Sequence, residues 1–321
     1  MFENKEYVYM VYQEKSFSKA AQKMFVTQPC LSAMVKKVEK KLGTPIFNRN
    51  AKPIQLTECG EKYIEYITQV MKLEQQFENY LCDIRGLKNG TISIGANNVC
   101  SSFVLPEIMK RFSEQYPKIQ IQLHEGNIEY LEEQLQQGAL DMILDNYPVD
   151  AHMYEIYPVC EEEVLIAVPE GLNKSLDSRC RRKGLSQEDI IQGKHLDGHN
   201  KDVSFSDFST CPFIILRKGN DTRSRFEQLC QEANENPEIL LEVDQLSTAY
   251  NIVCSGTGVT LVSDTLVKKM PVTNNVTYYR VKSDTLKRQL FFHFPRNRYV
   301  SLAMRKFMEE ARGFYAPVFF L

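Results

Sequence analysis

The stretch Ser16-Phe17-Ser18-Lys19-Ala20-Ala21-Gln22-Lys23-Met24-Phe25-Val26-Thr27-Gln28-Pro29-Cys30-Leu31-Ser32 reads as two helices meeting at a tight turn. Ser16 and Ser18 offer N-cap oxygens to a short helix from Lys19 to Met24, and its Ala20-Ala21 pair lets another helix approach closely. Phe25-Val26 makes the turn. Thr27 is a second N-cap, and Pro29 falls in the first turn of the next helix, where a missing N–H costs little. That helix runs to about Leu42 and stops at Gly43, a natural residue just past a helix end. Its Leu31, Val35, Val38 and Leu42 form one apolar stripe, whereas Gln28, Ser32, Ala33, Lys36, Lys37 and Lys40 lie away from it. Upstream, Val8, Val11 and Tyr12 place another helix over Lys5 to Glu14.

A helix of this pattern can bury one side and present its N-terminal turns to a major groove. Gln28 can pair with a base edge, preferably adenine, and Ser32 with a base or a phosphate. Ala33 is small enough for close approach or a thymine methyl, and Lys36 is placed for phosphate; Ser18, Thr27 and Pro29 at the helix starts complete the candidate set. Ile46 to Thr57 reads as two short extended pieces around a polar turn, a wing whose Arg49 and Lys52 would reach the backbone or a minor groove. Between Met1 and Glu58, ten basic residues face five acidic ones, although the whole chain carries −2. A basic head on an acidic body suggests a polyanion partner at one end only. From spacing alone, a small helical bundle with a solvated lysine-rich face fits equally well.

The runs Ser16-Phe17-Ser18-Lys19-Ala20-Ala21, Thr27-Gln28-Pro29-Cys30-Leu31-Ser32, Val38-Glu39-Lys40-Lys41-Leu42-Gly43, Ile46-Phe47-Asn48-Arg49 and Leu56-Thr57-Glu58-Cys59-Gly60 together resemble the LysR-type transcriptional regulator signature, in order and at the right spacing. Cys30-Leu31, Ile46 and Cys59 are packing departures from the common pattern. More consequential are Ala33, where many relatives carry a long polar side chain, and Lys52 in place of arginine, which cannot make a bidentate fork.

Glu58 to Leu87 reads as one long helix, roughly 45 Å if unbroken. Tyr63, Ile67, Val70, Phe77, Leu81 and Ile84 form its seam, with Glu74 interrupting and Leu73 beside it. A rod of that length buries its stripe most simply against a second copy, or else against the C-terminal domain. The resemblance implies the same linker-helix dimer, with tetramers common.

After Asn89-Gly90 strands and helices alternate: strands at Thr91–Ala96, Lys118–His124 and Asp141–Asp145, helices at Leu105–Tyr116 and Ile128–Gln137. Such alternation predicts a mostly parallel sheet covered by helices, with ligands at the carboxyl ends of strands. A second unit begins near Val164-Leu165-Ile166-Ala167-Val168. Its strands fall at Phe213–Leu216, Ile239–Val243, Val259–Val262, Val276–Val281 and Gln289–Phe294, and its helices at Thr222–Ala233, Ser247–Ser255 and Tyr299–Arg312. Arg217 to Arg223 and Ser255 to Val259 resemble the second lobe of the LysR-type effector domain, in which two lobes like those of periplasmic binding proteins hold an inducer. The expected architecture is therefore multidomain α and α/β. It comprises a winged helix-turn-helix (1–57), a linker helix (58–88) and a two-lobed effector domain (89–321), with lobe I at about 91–163 and 267–321 and lobe II at about 164–266.

Strand ends and helix starts supply the candidate pocket. In the first lobe these are Asn97, Asn98, Ser101, Ser102, Asn127, Asn146 and Tyr147; in the second, Phe213, Thr222, Gln245, Ser247 and Thr248. Hydroxyls, amides and helix N–H groups favour a small polar or anionic metabolite, such as a carboxylate or amino acid; each residue has capping or turn formation as its plain structural alternative. Cys100 and Cys211 lie near this cleft, which makes a thiol-based redox-responsive regulator the alternative, although no basic neighbour marks either as a thiolate. The polar loop Leu172 to Ser209 reads as a solvated insertion, and its Arg179-Cys180-Arg181-Arg182-Lys183 run as exposed loop. His195 and His199 within it would need a helix that Gly198 spoils, so no metal site is expected.

Hydrophobic residues at 43% and charged residues at 25% over 321 residues describe an ordinary globular chain of two or three packing units. No apolar run approaches a membrane span and the N-terminus lacks a signal peptide, so a cytoplasmic location is expected. Nine cysteines without a C-x-x-C pair read as small buried hydrophobes. No Ser-His-Asp order, phosphate loop or nucleophile elbow supports an enzyme, and no cofactor is expected. The partners expected are promoter DNA, an effector, a second copy of the chain and, from the resemblance, RNA polymerase.

Overall fold

In the computed structural model, residues 2–49, 51, 53–84, 90–196 and 202–315 are described. They fall into two compact units that divide after Ile84.

The first unit strings α1 (Lys5–Glu14), α2 (Phe17–Lys23) and α3 (Gln28–Leu42) to a two-strand wing, β1 (Phe47–Asn48) and β2 (Gln55–Leu56), and then to α4 (Glu58–Ile84). Ser16 caps α2 and Thr27 caps α3 through side-chain oxygens, and Gly43 ends α3 at φ 75°, a left-handed conformation. Val8, Val11, Ala20, Ala21, Leu31, Val35, Val38 and Ile46 interlock with Tyr63, Ile64 and Ile67 of α4. Tyr63 and Ile67 are therefore core residues of the head rather than part of a free seam. Glu74, the break in that seam, receives the ammonium of buried Lys5 at 2.9 Å and ties α4 to α1. The apolar residues that α4 leaves exposed are Tyr66, Leu73, Phe77, Tyr80 and Ile84, which puts Leu73 on the stripe instead of beside it.

The second unit has two lobes. In the first, β3 (Gly90–Ala96) lies between parallel neighbours β4 (Ile119–Glu125) and β5 (Met142–Asp145). α5 (Leu105–Gln115) and α13 (Leu302–Tyr315) cover one face through Phe112 and Phe307, and α6 (Ile128–Gln137) the other through Leu131 and Leu135. Two long strands link the lobes. β6 (Tyr154–Pro169) pairs with β11 (Lys287–Pro295) in the first lobe, and with β9 (Thr260–Ser263) and β10 (Val276–Tyr279) in the second, always antiparallel. The sheet is thus mixed, not mostly parallel, because β11 runs antiparallel to both of its neighbours, β5 and β6. Of β6, the sequence disclosed only Val164–Val168: there alternate residues feed two cores, so the run is continuously apolar. The first half passes through Glu161, Glu162 and Glu163 and carries no such signal.

The second lobe adds the parallel pair β7 (Phe213–Leu216) and β8 (Ile239–Val243), joined to β9 by Ile214 N–H to the Val259 carbonyl at 2.8 Å. α10 (Asp221–Ala233), α11 (Leu246–Cys254) and α12 (Asp264–Lys269) complete it. Because β10 pairs with β6, the chain returns to the first lobe between Tyr279 and Lys287, later than position 267. Leu172 to Ser209 is also not a solvated insertion. Short helices α7 (Glu170–Asn173), α8 (Ser178–Arg181) and α9 (Gln187–Ile191) punctuate it, and Leu176, Cys180, Leu185, Ile190, Phe205 and Phe208, in, between and beyond them, are all buried.

One close approach fixes the join of wing and α4. Thr57 hydroxyl donates to the Pro45 carbonyl at 2.7 Å and accepts from Gly60 N–H at 3.0 Å, which seats Gly60 so tightly that a Cβ there would lie 2.1 Å from the Ile46 carbonyl oxygen. Gly60→Ala should therefore destabilise the first unit by about 2–3 kcal/mol, read as a lower denaturant midpoint. A midpoint equal to that of the parent chain would refute this packing.

Candidate functional site

Two places in the chain gather polar groups on rigid elements, one in each unit. In the first, α3 is locked by its apolar stripe while Thr27, Gln28, Pro29, Ala33 and Lys36 stand exposed on its opposite side and Ser32 is half-buried. Ser18 on α2 is exposed as well. These are the residues that sequence singled out; Lys52 lies outside the described residues. Arg49 is more constrained than a free wing cation. Its guanidinium bonds Glu39 at 2.9 Å and Ser32 Oγ at 3.4 Å, and it rests 5.0 Å over the Phe17 ring. With five donors, it retains N–H groups beyond these two bonds. Sequence reasoning passed over Phe25, whose side chain is 96% exposed in the turn before α3, at φ 54°.

In the second unit, Asn97, Asn98, Asn127, Asn146, Tyr147, Thr222 and Gln245 line one cleft of about 270 Å3 between the lobes. Three helices start at its edge. Asn127 accepts from Tyr130 N–H at the start of α6, and Asn220 from Thr222 N–H at the start of α10, whereas Gln245 makes no side-chain cap on α11. Ser247 Oγ reaches across to Asn98 Oδ1 at 3.2 Å, at the rim. Ser101 stands behind the wall, in a wide π-helical turn over Cys100–Val104, and donates to Glu125 at 3.0 Å. Ser102 and Thr248 are exposed and do not line the cleft. Phe213 is a correction: it is fully buried in the second lobe's core against Phe205 and Phe226, because all of β7 is covered on both faces.

What the sequence did not bring forward is the charge. Arg288, at the start of β11, is buried and pairs with Glu162 and Asp221, each at 2.8 Å. The Asn146 amide joins this pair to Asp145, its oxygen facing the guanidinium at 3.0 Å and its nitrogen facing Asp145 Oδ1 at 3.2 Å, so that each atom meets opposite polarity. Asp145 Oδ1 also accepts from Asn97 Nδ2 and from the N–H groups of Asn146 and Tyr147. Glu125 accepts from Asn98 Nδ2 at 3.1 Å as well as from Ser101. Asp145 could have been suspected at the carboxyl end of a strand, but Arg288, Glu162 and Asp221 come from distant segments and no local pattern joins them.

Both candidate thiols lie in surroundings that disfavour the thiolate. Cys100 is buried, and burial together with the nearby Asp145 and Glu162 charges raises its pKa well above the ordinary value; burial raises that of Cys211. A reactive thiol needs the opposite environment. His195 is buried with Nε2 3.0 Å from Asp264 Oδ2, an oxygen that also takes the Lys268 ammonium at 2.6 Å. His199 lies outside the described residues.

Burial lifts the Asp145 carboxyl from 3.8 to about 6 and lowers the imidazole of fully buried His293 from 6.5 to about 4. The raised Asp145 value favours the folded state at low pH and loses that stabilisation as pH climbs through about 6. The lowered His293 value does the reverse, its contribution fading as pH falls from about 6.5 to about 4. The two nearly offset each other in the parent chain. Asp145→Asn removes one of them, so the variant should gain on the parent by on the order of 2–3 kcal/mol between pH 4 and pH 7. Thermal melts of both proteins across that range check this, and a constant difference would rule it out.

Comparison with known proteins places both units. Residues 2–61 match the bacterial regulatory helix-turn-helix protein model of the lysR family, and residues 85–316 the LysR substrate binding domain. The chain is 28% identical over 314 residues to the uncharacterized HTH-type transcriptional regulator YcgK of Bacillus subtilis, covering 96% of this chain and 92% of that one. It is 25% identical over 303 residues to the probable RuBisCO transcriptional regulator of Cyanophora paradoxa, covering 92% and 86%. Among solved structures, a full-length OxyR variant of Pseudomonas aeruginosa shares the fold with a TM-score of 0.70 at 18% identity over 97% of each chain. Full-length CbnR in complex with its target DNA does so at 0.64 and 17%, over 98% and 99%. The chain belongs to the LysR family of transcriptional regulators, with a helix-turn-helix head and a substrate-binding domain.

Proposed function

We propose that the chain reads double-stranded promoter DNA with the N-terminal turns of α3 and answers to a small polar metabolite held in the cleft of its second unit. The observation that carries the first half is the exposed set Thr27, Gln28, Ala33 and Lys36 on a helix whose other side is fixed in the core. Side chains on a rigid helix keep the placement that base readout needs. Arg49, Ser18 and Pro29 join them as backbone contacts, with Lys52 of the wing. That CbnR was solved on its target DNA supports this reading. The second half rests on the cleft: amides from both lobes converge there at strand ends and helix starts.

The functional unit in this reading is a dimer or a tetramer, paired through α4. Tyr66, Val70, Leu73, Phe77, Tyr80 and Ile84 recur at alternating spacings of four and three, the repeat of a paired helix. RNA polymerase is the further partner, and the cytoplasm is where the chain meets DNA; no described helix is long and apolar enough to cross a membrane.

Gln28→Ala combined with Ser32→Ala should weaken binding to the chain's own upstream promoter region by about tenfold or more. Unchanged affinity in a gel-shift titration would show that α3 is not the reading helix. Phe77→Glu should shift the chain toward monomer in light scattering, and a mass equal to the parent's would reject α4 as the pairing element.

A further inference from the structure

We infer that the cleft of the second unit selects a ligand bearing a cationic nitrogen, an ammonium, amidinium or guanidinium, held by Asp145 and Glu125. This rests on the reading of that cleft as the effector site and names the class of effector.

Its walls carry four carboxylates, Glu125, Asp145, Asp221 and Asp244, against a single guanidinium, that of Arg288. Two of the four already have cations. Asp221 holds Arg288 at 2.8 Å and Arg225 at 2.7 Å, and Asp244 holds Arg217 at 3.2 Å. Arg288 is in turn occupied by Glu162 and Asp221. Among the described residues no ion pair includes Asp145 or Glu125. The described walls therefore present two carboxylates without an ion-pair partner and no unpaired cation.

Several donors at and behind the cleft wall are already turned to these same two carboxylates. Asn97 and Asn146 each turn an amide N–H to Asp145; Asn98 gives an amide N–H and Ser101 its hydroxyl to Glu125. At two of the three helix starts a side chain, Asn127 or Asn220, already takes one N–H. An anion entering here would meet two carboxylates opposing it, with the amides beside them already turned to those carboxylates. The start of α11 has no side-chain cap, and its N–H groups suit the carboxylate of an amino acid whose amino group faces the other wall.

A second, independent feature points to a missing positive partner. Asp145 is 4% exposed, and every hydrogen bond it receives ends on Oδ1. Among the described residues Oδ2 has no partner, although Asp145 lines the cleft. A buried carboxylate with one free oxygen is costly to keep ionised, which is why its pKa rises to about 6. A bound cation removes that cost.

The test uses the full chain at pH 7.5 with matched probes: putrescine, agmatine and L-lysine as cations, glutarate as anion and 1,4-butanediol as neutral control. Thermal shift and calorimetry should find saturable binding of at least one cationic probe and none of glutarate. Asp145→Asn and Glu125→Gln should each weaken it by about tenfold or more, the loss of one charge-assisted hydrogen bond. Glu125 is exposed, so its variant tests the site even if Asp145→Asn folds poorly. Affinity in the parent should fall between pH 7 and pH 5 as Asp145 takes up a proton. Saturable glutarate binding that tightens in Asp145→Asn would overturn the cationic class while leaving the effector site in place. No binding by any cationic probe, or cation binding indifferent to both variants, also overturns it. A cation that binds through Asp145 and Glu125 yet leaves promoter affinity unchanged would uphold this inference and refute the effector reading.

Discussion

The second unit depends on one buried cation. Arg288 sits where β11 enters from the second lobe, Glu162 lies on β6 at the same crossing, and Asp221 opens α10. A guanidinium withdrawn from water is tolerable only if its charge and its donors are both answered, and removing one partner of such a pair costs about 3–5 kcal/mol. Both carboxylates are answered by it too, and Asn146 extends the arrangement to Asp145. The position of two strands and one helix start is thereby fixed around a single side chain, at the place where the lobes meet. The same pairing decides the cleft's electrostatics, because a guanidinium neutralised by Glu162 and Asp221 has little to offer Asp145 or an incoming anion.

Glu39 does the corresponding work in the first unit with an acid in place of a base. Its Oε1 accepts from Ile46 N–H at 2.9 Å and from Phe47 N–H at 3.4 Å, so it closes the turn that leads from α3 into the wing. Its Oε2 holds Arg49. The carboxylate thus sets the wing against the helix whose exposed turns carry Gln28 and Ser32, and the stacking of Arg49 on Phe17 adds the third side of the clamp. An arginine so held reaches outward from a defined place, which a flexible wing cation does not.

How much of this was legible follows the distance in sequence over which each signal acts. The helix-turn-helix could be read because its caps, its stops and its stripe are local: Ser16, Thr27 and Gly43 each act within a few residues. The amides of the cleft could be read for the same reason, since strand ends and helix starts leave marks in composition. Phe213 misled because an apolar strand buried on both faces looks alike whether its first residue faces a cleft or a core. The stretch Leu172–Ser209 misled in the opposite sense. Helices of four or five residues bring one or two apolar side chains each, too few for a periodicity, yet Leu176, Ile190 and Phe208 fill the core. Arg288 and its partners, whose sequence separations are 126 and 67, had no local signal at all.

Asn98 shows how the charge of the cleft bears on the relation between its lobes. Its Nδ2 donates to Glu125 in the first lobe, and its Oδ1 accepts from Ser247 in the second. One amide is therefore shared between the carboxylate that a ligand would meet and the hydrogen bond that joins the lobes at the rim. A ligand group that takes Glu125 competes with Asn98 for that carboxylate, and whatever the amide does next, the bond to Ser247 feels it. For a ligand to move an equilibrium it must bind two arrangements with different affinity. A contact that one arrangement of Asn98 allows and another denies supplies such a difference within a few ångströms, without any longer path through the core.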